Sequence, residues 1–396
     1  MSTGVTAARG FRAAGVQAGI KPGRRDLALI VADAPCTAAG VFTTNRVAAA
    51  PVLVSRAHLA SGRARAVVVN AGCANAATGQ AGLDDAKEMA RLVGASVGCA
   101  AGEVVVASTG VIGVRLPMGE VRAGIAAAAA CLSASGGGDA ACAILTTDTR
   151  PKETVETLTL GGVSCTVGGM AKGSGMIAPR MATMLAFFTA DIEVEPKLLR
   201  RALAEAVATS FNRITVDGDT STNDCAVVLT GGASGAPPIQ DEGGDFDAFQ
   251  GALARAATRL AEMLVRDGEG TTRVAEVCVE GARSMEEAVC VARVVAESPL
   301  VKTALNGGDP NWGRILAAAG RSGAEIEPER VSIWIGDVHV AEGGAAREYE
   351  EELAAAAMRE DPVRFRVDLG RGEGEARIWT SDLSHGYVDI NAHYRS

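Results

Sequence analysis

A layered fold of sheets covered by helices, α+β or α/β, is predicted by three features of this 396-residue sequence. Short apolar runs of strand length alternate with amphipathic stretches of helical spacing. The AVILMFWYC residues make up 48% of the chain and charged residues 21%, enough apolar material for a sizeable core. No self-similar period of roughly 20–50 residues runs through the chain, so a solenoid is not supported.

The elements follow in order. Residues 27–32 and 66–70 read as short apolar strands. Residues 83–92 have helical spacing and open on Asp84 and Asp85, which suit the positive end of a helix dipole. A strand at 103–107 runs into Ser108-Thr109-Gly110, and an Ala-rich helix covers 118–132. Strands at 154–160 and 164–167 form a hairpin around Gly161-Gly162. Beyond a glycine-rich loop, 183–188 is a strongly apolar strand, 195–210 a helix and 226–230 a strand. A loop rich in Gly, Pro and Asp spans 231–245, and a long amphipathic helix spans 246–265. A strand at 274–279 precedes a helix at 284–297, whose Ser284 and Glu287 fit a capping box. The segment 309–314 reads as a turn with Trp312 buried, leading to a helix at 315–319. Strands at 331–335 and 375–380 flank a helix at 348–358. Asn70 and Asn75, on either side of a glycine, are expected to order a turn.

Composition excludes several classes of function. Thirty-eight Lys and Arg against 47 Asp and Glu leave a net charge of −9, which exerts no general pull toward nucleic acid or an anionic membrane. Aromatic residues are only 4%, too few for base-stacking platforms. No run of about 18 apolar residues has spanning character, and the first residues lack a signal-peptide core. The nine cysteines form no CxxC pair and sit mostly in apolar segments, which suits a reducing, cytoplasmic compartment. His58, His339, His385 and His393 lie far apart, without HExxH or a His/Cys cluster, so no metal is expected. No phosphate loop, dinucleotide fingerprint or GxSxG elbow is present, and no resident cofactor is expected.

The unusual segment is 168–191, GGMAKGSGMIAPRMATMLAFFTAD. By propensity it is a loop entering a buried strand, with Thr183 an ordinary β-branched strand residue. A second reading treats Thr183 as a nucleophile unmasked by cleavage of the bond before it. Its freed α-amine, with a reference pKa of about 7.7–8.0, would then be the general base. That chemistry needs neither histidine nor metal.

The run Ala171-Lys172-Gly173-Ser174-Gly175-Met176-Ile177-Ala178-Pro179, followed by Met181-Ala182-Thr183-Met184-Leu185, resembles the self-cleavage region of the ornithine acetyltransferases of arginine biosynthesis, the glutamate N-acetyltransferase family. Blocks along the whole chain agree with it. They include 21–30, Asn70-Ala71-Gly72-Cys73-Ala74-Asn75-Ala76, Ser108-Thr109-Gly110-Val111-Ile112-Gly113 and Thr146-Thr147-Asp148-Thr149. Further on stand Asp267-Gly268-Glu269-Gly270-Thr271, Asp309-Pro310-Asn311-Trp312-Gly313-Arg314 and Tyr387-Val388-Asp389-Ile390-Asn391.

The resemblance implies an α+β layered sandwich, αββα-like and of the N-terminal-nucleophile type, with a smaller C-terminal α/β lobe from about residue 280. It implies a cut between Ala182 and Thr183, giving an α chain of residues 1–182 and a β chain of residues 183–396. Thr183 becomes the acyl acceptor, and the Thr109 hydroxyl with the Gly110 N–H matches the oxyanion hole. Thr146 (or its neighbour Thr147), Lys172, Thr183, Glu269, Asn391 and Ser396 match the substrate-contacting positions. Arg180 departs from the small polar residue common in the family. The implied substrates are N-acetylornithine and glutamate; some members also take acetyl from acetyl-CoA, and no CoA motif here chooses between the two types. The implied assembly is a heterotetramer of α and β chains. Two other readings stand beside this one: an N-terminal-threonine aminopeptidase or amidohydrolase of related fold, and an uncut binding protein whose glycine loop holds a small anion.

Overall fold

The apolar runs of the first half become strands covered on both faces. The computed structural model describes residues 4–178 and 184–393, which divide into two compact units. The first unit holds the described chain up to Asn212 together with Asp219–Leu264; the second holds Arg213–Gly218 and residues 265–393.

In chain order the elements begin with β1 (Phe11–Val16), β2 (Leu27–Phe42), α1 (Ala50–Leu59), β3 (Arg63–Cys73), α2 (Gly79–Val97), β4 (Val104–Val111), α3 (Met118–Ala130) and α4 (Gly137–Ala143). They continue with β5 (Lys152–Leu160), β6 (Val163–Lys172), β7 (Leu185–Ala190), α5 (Pro196–Thr209), β8 (Ile214–Thr215), β9 (Cys225–Thr230) and α6 (Gly244–Arg266). The first unit's sheet has the order β4-β3-β2-β9-β7-β6-β5, with β1 added on β2. β3–β4 and β7–β9 are parallel, whereas β2–β3, β2–β9, β5–β6 and β6–β7 are antiparallel. Successive side chains of a strand face opposite ways. Leu27, Leu29 and Val31 therefore pack with Met89 and Val93 of α2 and Val121 and Ile125 of α3. Ala28, Ile30 and Ala32 face a separate core with Val67, Val69, Phe187, Val227 and the α4 alanines Ala140 and Ala141. Two covered faces demand apolar residues at every position, which is why these strands read as continuous runs rather than alternations.

The second unit continues with β10 (Val274–Ala282), α7 (Met285–Ala296), α8 (Pro299–Gly307), α9 (Trp312–Gly320), β11 (Ser332–Ile335), β12 (Val338–Glu342), β13 (Ala345–Ala346), α10 (Glu351–Ala357), β14 (Val363–Asp368), β15 (Gly374–Ser381) and α11 (His385–His393). Its sheet runs β13-β12-β11-β14-β10-β15-β8. Val291 and Val295 of α7 and Ile315 and Ala319 of α9 pack on Val277, Val279, Ile333, Phe365, Val367 and Ile378. Two mixed sheets and eleven α-helices among the described residues make the chain α+β, as the sequence predicts.

Several elements differ from expectation for identifiable reasons. β2 does not stop at Ala32 but carries on to Phe42, because the exposed Asp33-Ala34-Pro35 is accommodated as a register shift between Val31 and Cys36. α1 escapes a reading by propensity, since Pro51 looks like a breaker but sits in the first turn, where a missing N–H costs nothing. The Ser284 cap forms, its Oγ accepting the Glu287 N–H at 3.3 Å, but the Glu287 carboxylate takes the Arg283 N–H at 2.7 Å instead of closing the box. α9 begins at Trp312, three residues before the expected start, because the Asn311 side chain caps it by accepting the Arg314 N–H at 3.2 Å. Trp312 is correspondingly half-buried rather than buried.

Candidate active site

The site in the first unit starts from a distorted strand end. β4 runs parallel to β3 until Gly72 meets Gly110, where Cys73 pairs with both Thr109 and Val111 in a local bulge. Gly110 has φ +127, and a Cβ there would lie 2.3 Å from the Gly72 carbonyl carbon. Only glycine fits such a close approach. Side-chain hydrogen bonds hold this end in place. The Ser108 hydroxyl donates to Asn70 Oδ1 at 2.6 Å, and Asn70 Nδ2 donates to the Cys73 carbonyl at 2.8 Å. Asn223 Nδ2 donates to the carbonyls of Ala74 (2.6 Å) and Ser108 (2.8 Å). Asn75, at φ 49, likewise orders its turn by donating to the Gly82 carbonyl at 2.9 Å.

Lys172, the last residue of β6, faces this strand end and is 4% exposed. Its Nζ donates to Thr109 Oγ1 at 3.2 Å and to Thr146 Oγ1 at 2.8 Å. The fold thus brings together three of the residues singled out from sequence, and of the two adjacent threonines Thr146 is the one whose hydroxyl takes a hydrogen bond from Lys172. Asp148 anchors the cluster. Its Oδ1 accepts from Lys152 Nζ at 2.7 Å and from the Gly173 N–H at 2.7 Å; its Oδ2 accepts the Thr146 N–H at 3.1 Å and lies 3.8 Å from Lys172 Nζ. Burial by itself pushes this carboxyl up, but the ammonium groups of Lys172 and Lys152 and the Gly173 N–H outweigh it and hold the carboxyl well below the usual range. Lys21 adds a further cation: its Nζ donates to the Leu145 carbonyl at 2.5 Å, and burial lowers its pKa, with the Lys172 charge also acting to lower it.

A second group of predicted residues meets in the second unit. Glu269, in the loop after α6, is 7% exposed, and its Oε2 accepts from Asn391 Nδ2 of α11 at 2.8 Å. The loop is fixed by Asp382, whose Oδ1 accepts the N–H groups of Thr272 (2.9 Å) and Arg273 (3.1 Å). Gly270, at φ +66, lets α11 come close: a Cβ there would stand 2.2 Å from the Tyr387 nitrogen. Thr183, Ala182, Arg180 and Ser396 lie outside the described residues.

Asp148, Lys152, Lys21, Asn223 and Asp224 escaped the sequence reading. The available signal was polarity in the wrong place. Thr220-Ser221-Thr222-Asn223-Asp224 leads directly into the wholly buried β9, and a polar run at the mouth of a buried strand has to be satisfied by something. Among the described residues no group of three or more His, Cys, Asp or Glu converges as a metal site, and no helix is long and apolar enough to cross a membrane. All nine cysteines are free.

Chemically, the first-unit cluster offers a buried ammonium that polarises two hydroxyls beside a strand-end N–H, an arrangement suited to developing negative charge on a carbonyl oxygen. Known proteins resemble this chain along nearly its whole length. Residues 12–396 match the family model described as the ArgJ family. The arginine biosynthesis bifunctional protein ArgJ of Symbiobacterium thermophilum is 51% identical over 399 residues, covering 100% of this chain and 99% of that one. Its namesake from Geobacter sulfurreducens is 49% identical over 390 residues, covering 98% of this chain and 99% of that one. A solved structure of the protein of that name from Bacillus halodurans is 41% identical with a TM-score of 0.51; it matches over 98% of its own length but covers 52% of this chain.

Proposed function

This chain belongs to the ArgJ family and is an acetyltransferase of arginine biosynthesis, and on that premise we propose that it cuts itself between Ala182 and Thr183 and then moves an acetyl group from N-acetylornithine to glutamate through an acetyl-Thr183 ester. The observation that carries this reading is the Lys172 ammonium donating to the Thr109 hydroxyl, at 3.2 Å, beside Gly110. A hydroxyl whose oxygen already accepts from a cation is a stronger donor through its own hydrogen. One such donor aimed at an oxyanion is worth about 2.7–4 kcal/mol in comparable acyl transfers.

Self-cleavage begins with attack of the Thr183 hydroxyl on the Ala182 carbonyl. The C–N bond breaks, the hydroxyl proton ends on the released nitrogen, and water hydrolyses the resulting ester. In transfer, the same hydroxyl takes the acetyl group of N-acetylornithine and ornithine leaves. The amine of glutamate then attacks the acetyl ester. One amide is exchanged for a like amide, so no energy source is consumed. Thr109 and Gly110 stabilise the oxyanion in each half. The substrate-contacting residues in this reading are Thr146, Lys172, Thr183, Glu269, Asn391 and Ser396. The substrates are small molecules, acetyl-CoA being a further acetyl donor in the bifunctional type to which the relatives' names point. The two fragments assemble as a heterotetramer. The free cysteines suit the cytoplasm. The half-length of the Bacillus halodurans chain supports the cut, since it is the size of one product.

Intact mass spectrometry tests the reading. Purified protein is expected as fragments of 182 and 214 residues. Brief exposure to N-acetylornithine is expected to add one acetyl group to the longer fragment. A working enzyme found as one uncut chain would refute the scheme, and release of free acetate without transfer to glutamate would favour the amidohydrolase.

A further inference from the structure

Lys21 brings to the first-unit site an ammonium group for which the steps above have no use. It lies in the loop between β1 and β2, and buried Asp26 fixes that loop. Asp26 Oδ1 accepts the Ala18 N–H at 2.6 Å, and its Oδ2 accepts the N–H groups of Gly19 (3.1 Å) and Lys21 (2.7 Å). The Lys21 stem crosses the strand end at Gly72, which pairs with Gly110. A Cβ on Gly72, at φ +109, would stand 2.7 Å from Lys21 Cγ, so the lack of a side chain there is what admits the stem. The head ends on the Leu145 carbonyl at 2.5 Å, one residue before Thr146. Lys21 thus spans from the strand end that carries the oxyanion donors to the segment that carries Thr146.

The three ammonium groups here are placed differently. Lys172 is 4% exposed, lies 3.8 Å from the Asp148 carboxylate and donates to the Thr109 and Thr146 hydroxyls. Lys152 is 1% exposed and bonded to Asp148 at 2.7 Å. Lys21 is half-buried, and its ammonium, with three hydrogens to donate, rests on a neutral carbonyl rather than on a carboxylate. Burial lowers its pKa; the Asp26 charge opposes this and the Lys172 charge adds to it, so a further anion would relieve the site. Substrate chemistry says where that anion comes from. In an N-acetylated amino acid the carboxyl carbon is three bonds from the acetyl carbonyl carbon, and so at most about 4 Å from it. A carbonyl held by Thr109 and Gly110 therefore carries its carboxylate to the strand end that Lys21 crosses. In the acceptor, the carboxylate sits on the same carbon as the attacking amine. Resting on the acetyl-transfer reading, we propose that Lys21 binds the α-carboxylate shared by acetyl donor and acetyl acceptor, and so restricts the site to α-amino acids. The contact is a charge-assisted hydrogen bond, which is stronger than a neutral one.

The test compares N-acetylornithine with its α-carboxamide, in which a neutral amide replaces the carboxylate. Wild type is expected to favour the carboxylate about a hundredfold in kcat/KM. In Lys21→Met, which keeps an apolar stem on Gly72, that preference is expected to fall by about tenfold or more, through KM rather than kcat. Lys21→Arg keeps the charge and is expected to retain most of the preference. A wild-type enzyme indifferent to the carboxamide would overturn the proposal, as would Lys21→Met with its preference undiminished. Equal losses of kcat on both substrates would also overturn it, since a lysine serving the oxyanion or only the fold cannot tell the two apart. Should Lys21→Met not fold, Lys21→Gln, which keeps an N–H for the Leu145 carbonyl without the charge, is judged by the same ratio. Failure of the acetyl-transfer reading shows itself separately, as wild-type protein that takes no acetyl group from N-acetylornithine.

Discussion

Asp148 has no place in the bond-making steps, yet the cluster around Lys172 is built on it. It is the buried counter-charge for Lys152 and Lys172 and takes N–H groups from both Thr146 and Gly173. Replacing it with Asn leaves two lysines buried beside a neutral amide, and breaking a buried pair of this kind costs about 3–5 kcal/mol. Its pH dependence has a definite sign. Because the folded-state pKa is depressed, the unfolded chain binds the proton more readily. The stabilisation is therefore complete above the ordinary carboxylate range of about pH 4 and is lost as the pH falls toward the folded value. Urea unfolding of wild type between neutral and acid pH is expected to show this decline, and Asp148→Asn is expected to be weaker at neutral pH with a flatter slope. A variant as stable as wild type with the same slope would contradict this account. Asp148 was within reach of the sequence, standing in the block Thr146-Thr147-Asp148-Thr149. Its partner Lys152 was not, because a lysine reads as solvated until a strand is seen to bury its stem to 1% exposure.

Among the elements, α11 differs from the strands in how it is held. It has no buried residue, and it reaches the rest of its unit through polar contacts: Asn391 on Glu269, the Tyr387 hydroxyl on Asp217 at 3.3 Å, and the Ser384 hydroxyl before it on the Gly270 carbonyl at 2.5 Å. Among the described residues of the 391–396 segment none is buried, so removing the segment takes no described side chain from the core. We expect the truncated protein to keep its far-UV circular dichroism and melting temperature while acetyl transfer is lost; full transfer by the truncated form would remove Asn391 and Ser396 from the substrate site. The sequence pattern identified Glu269 and Asn391 only through family likeness. Their mutual hydrogen bond joins residues 122 apart in the chain, and nothing local encodes it. The core strands were easier. β7 and β9 are buried at every position and apolar at all but one each, Thr189 and Thr230, because both faces are covered, and such runs announce themselves.

At the scale of the whole chain, the proposed cut meets a sheet whose strand order interleaves its two products. β4, β3 and β2 precede residue 183, β9 and β7 follow it, and β6 and β5 precede it again. β7 and β9 are thus flanked on either side by strands of the other fragment, through the β6–β7 and β2–β9 ladders. Fragments so interleaved cannot part without breaking the sheet. Size-exclusion chromatography in native buffer is expected to elute both fragments together, with separation only in denaturant. Fragments that separate in native buffer would be incompatible with this sheet.

The sequence by itself determined the α+β class and most of the core strands, because periodicity and apolar runs are local properties of a chain. It also carried the nucleophile candidate, since a threonine opening an apolar strand is visible in a few residues. Only the tertiary structure decided which hydroxyls lie beside Lys172, that Asp148 holds that lysine, and that Asp224 grips the residue after Thr183. Those contacts join strands that are distant in sequence, and a buried charge is recognised by the partners the fold brings to it.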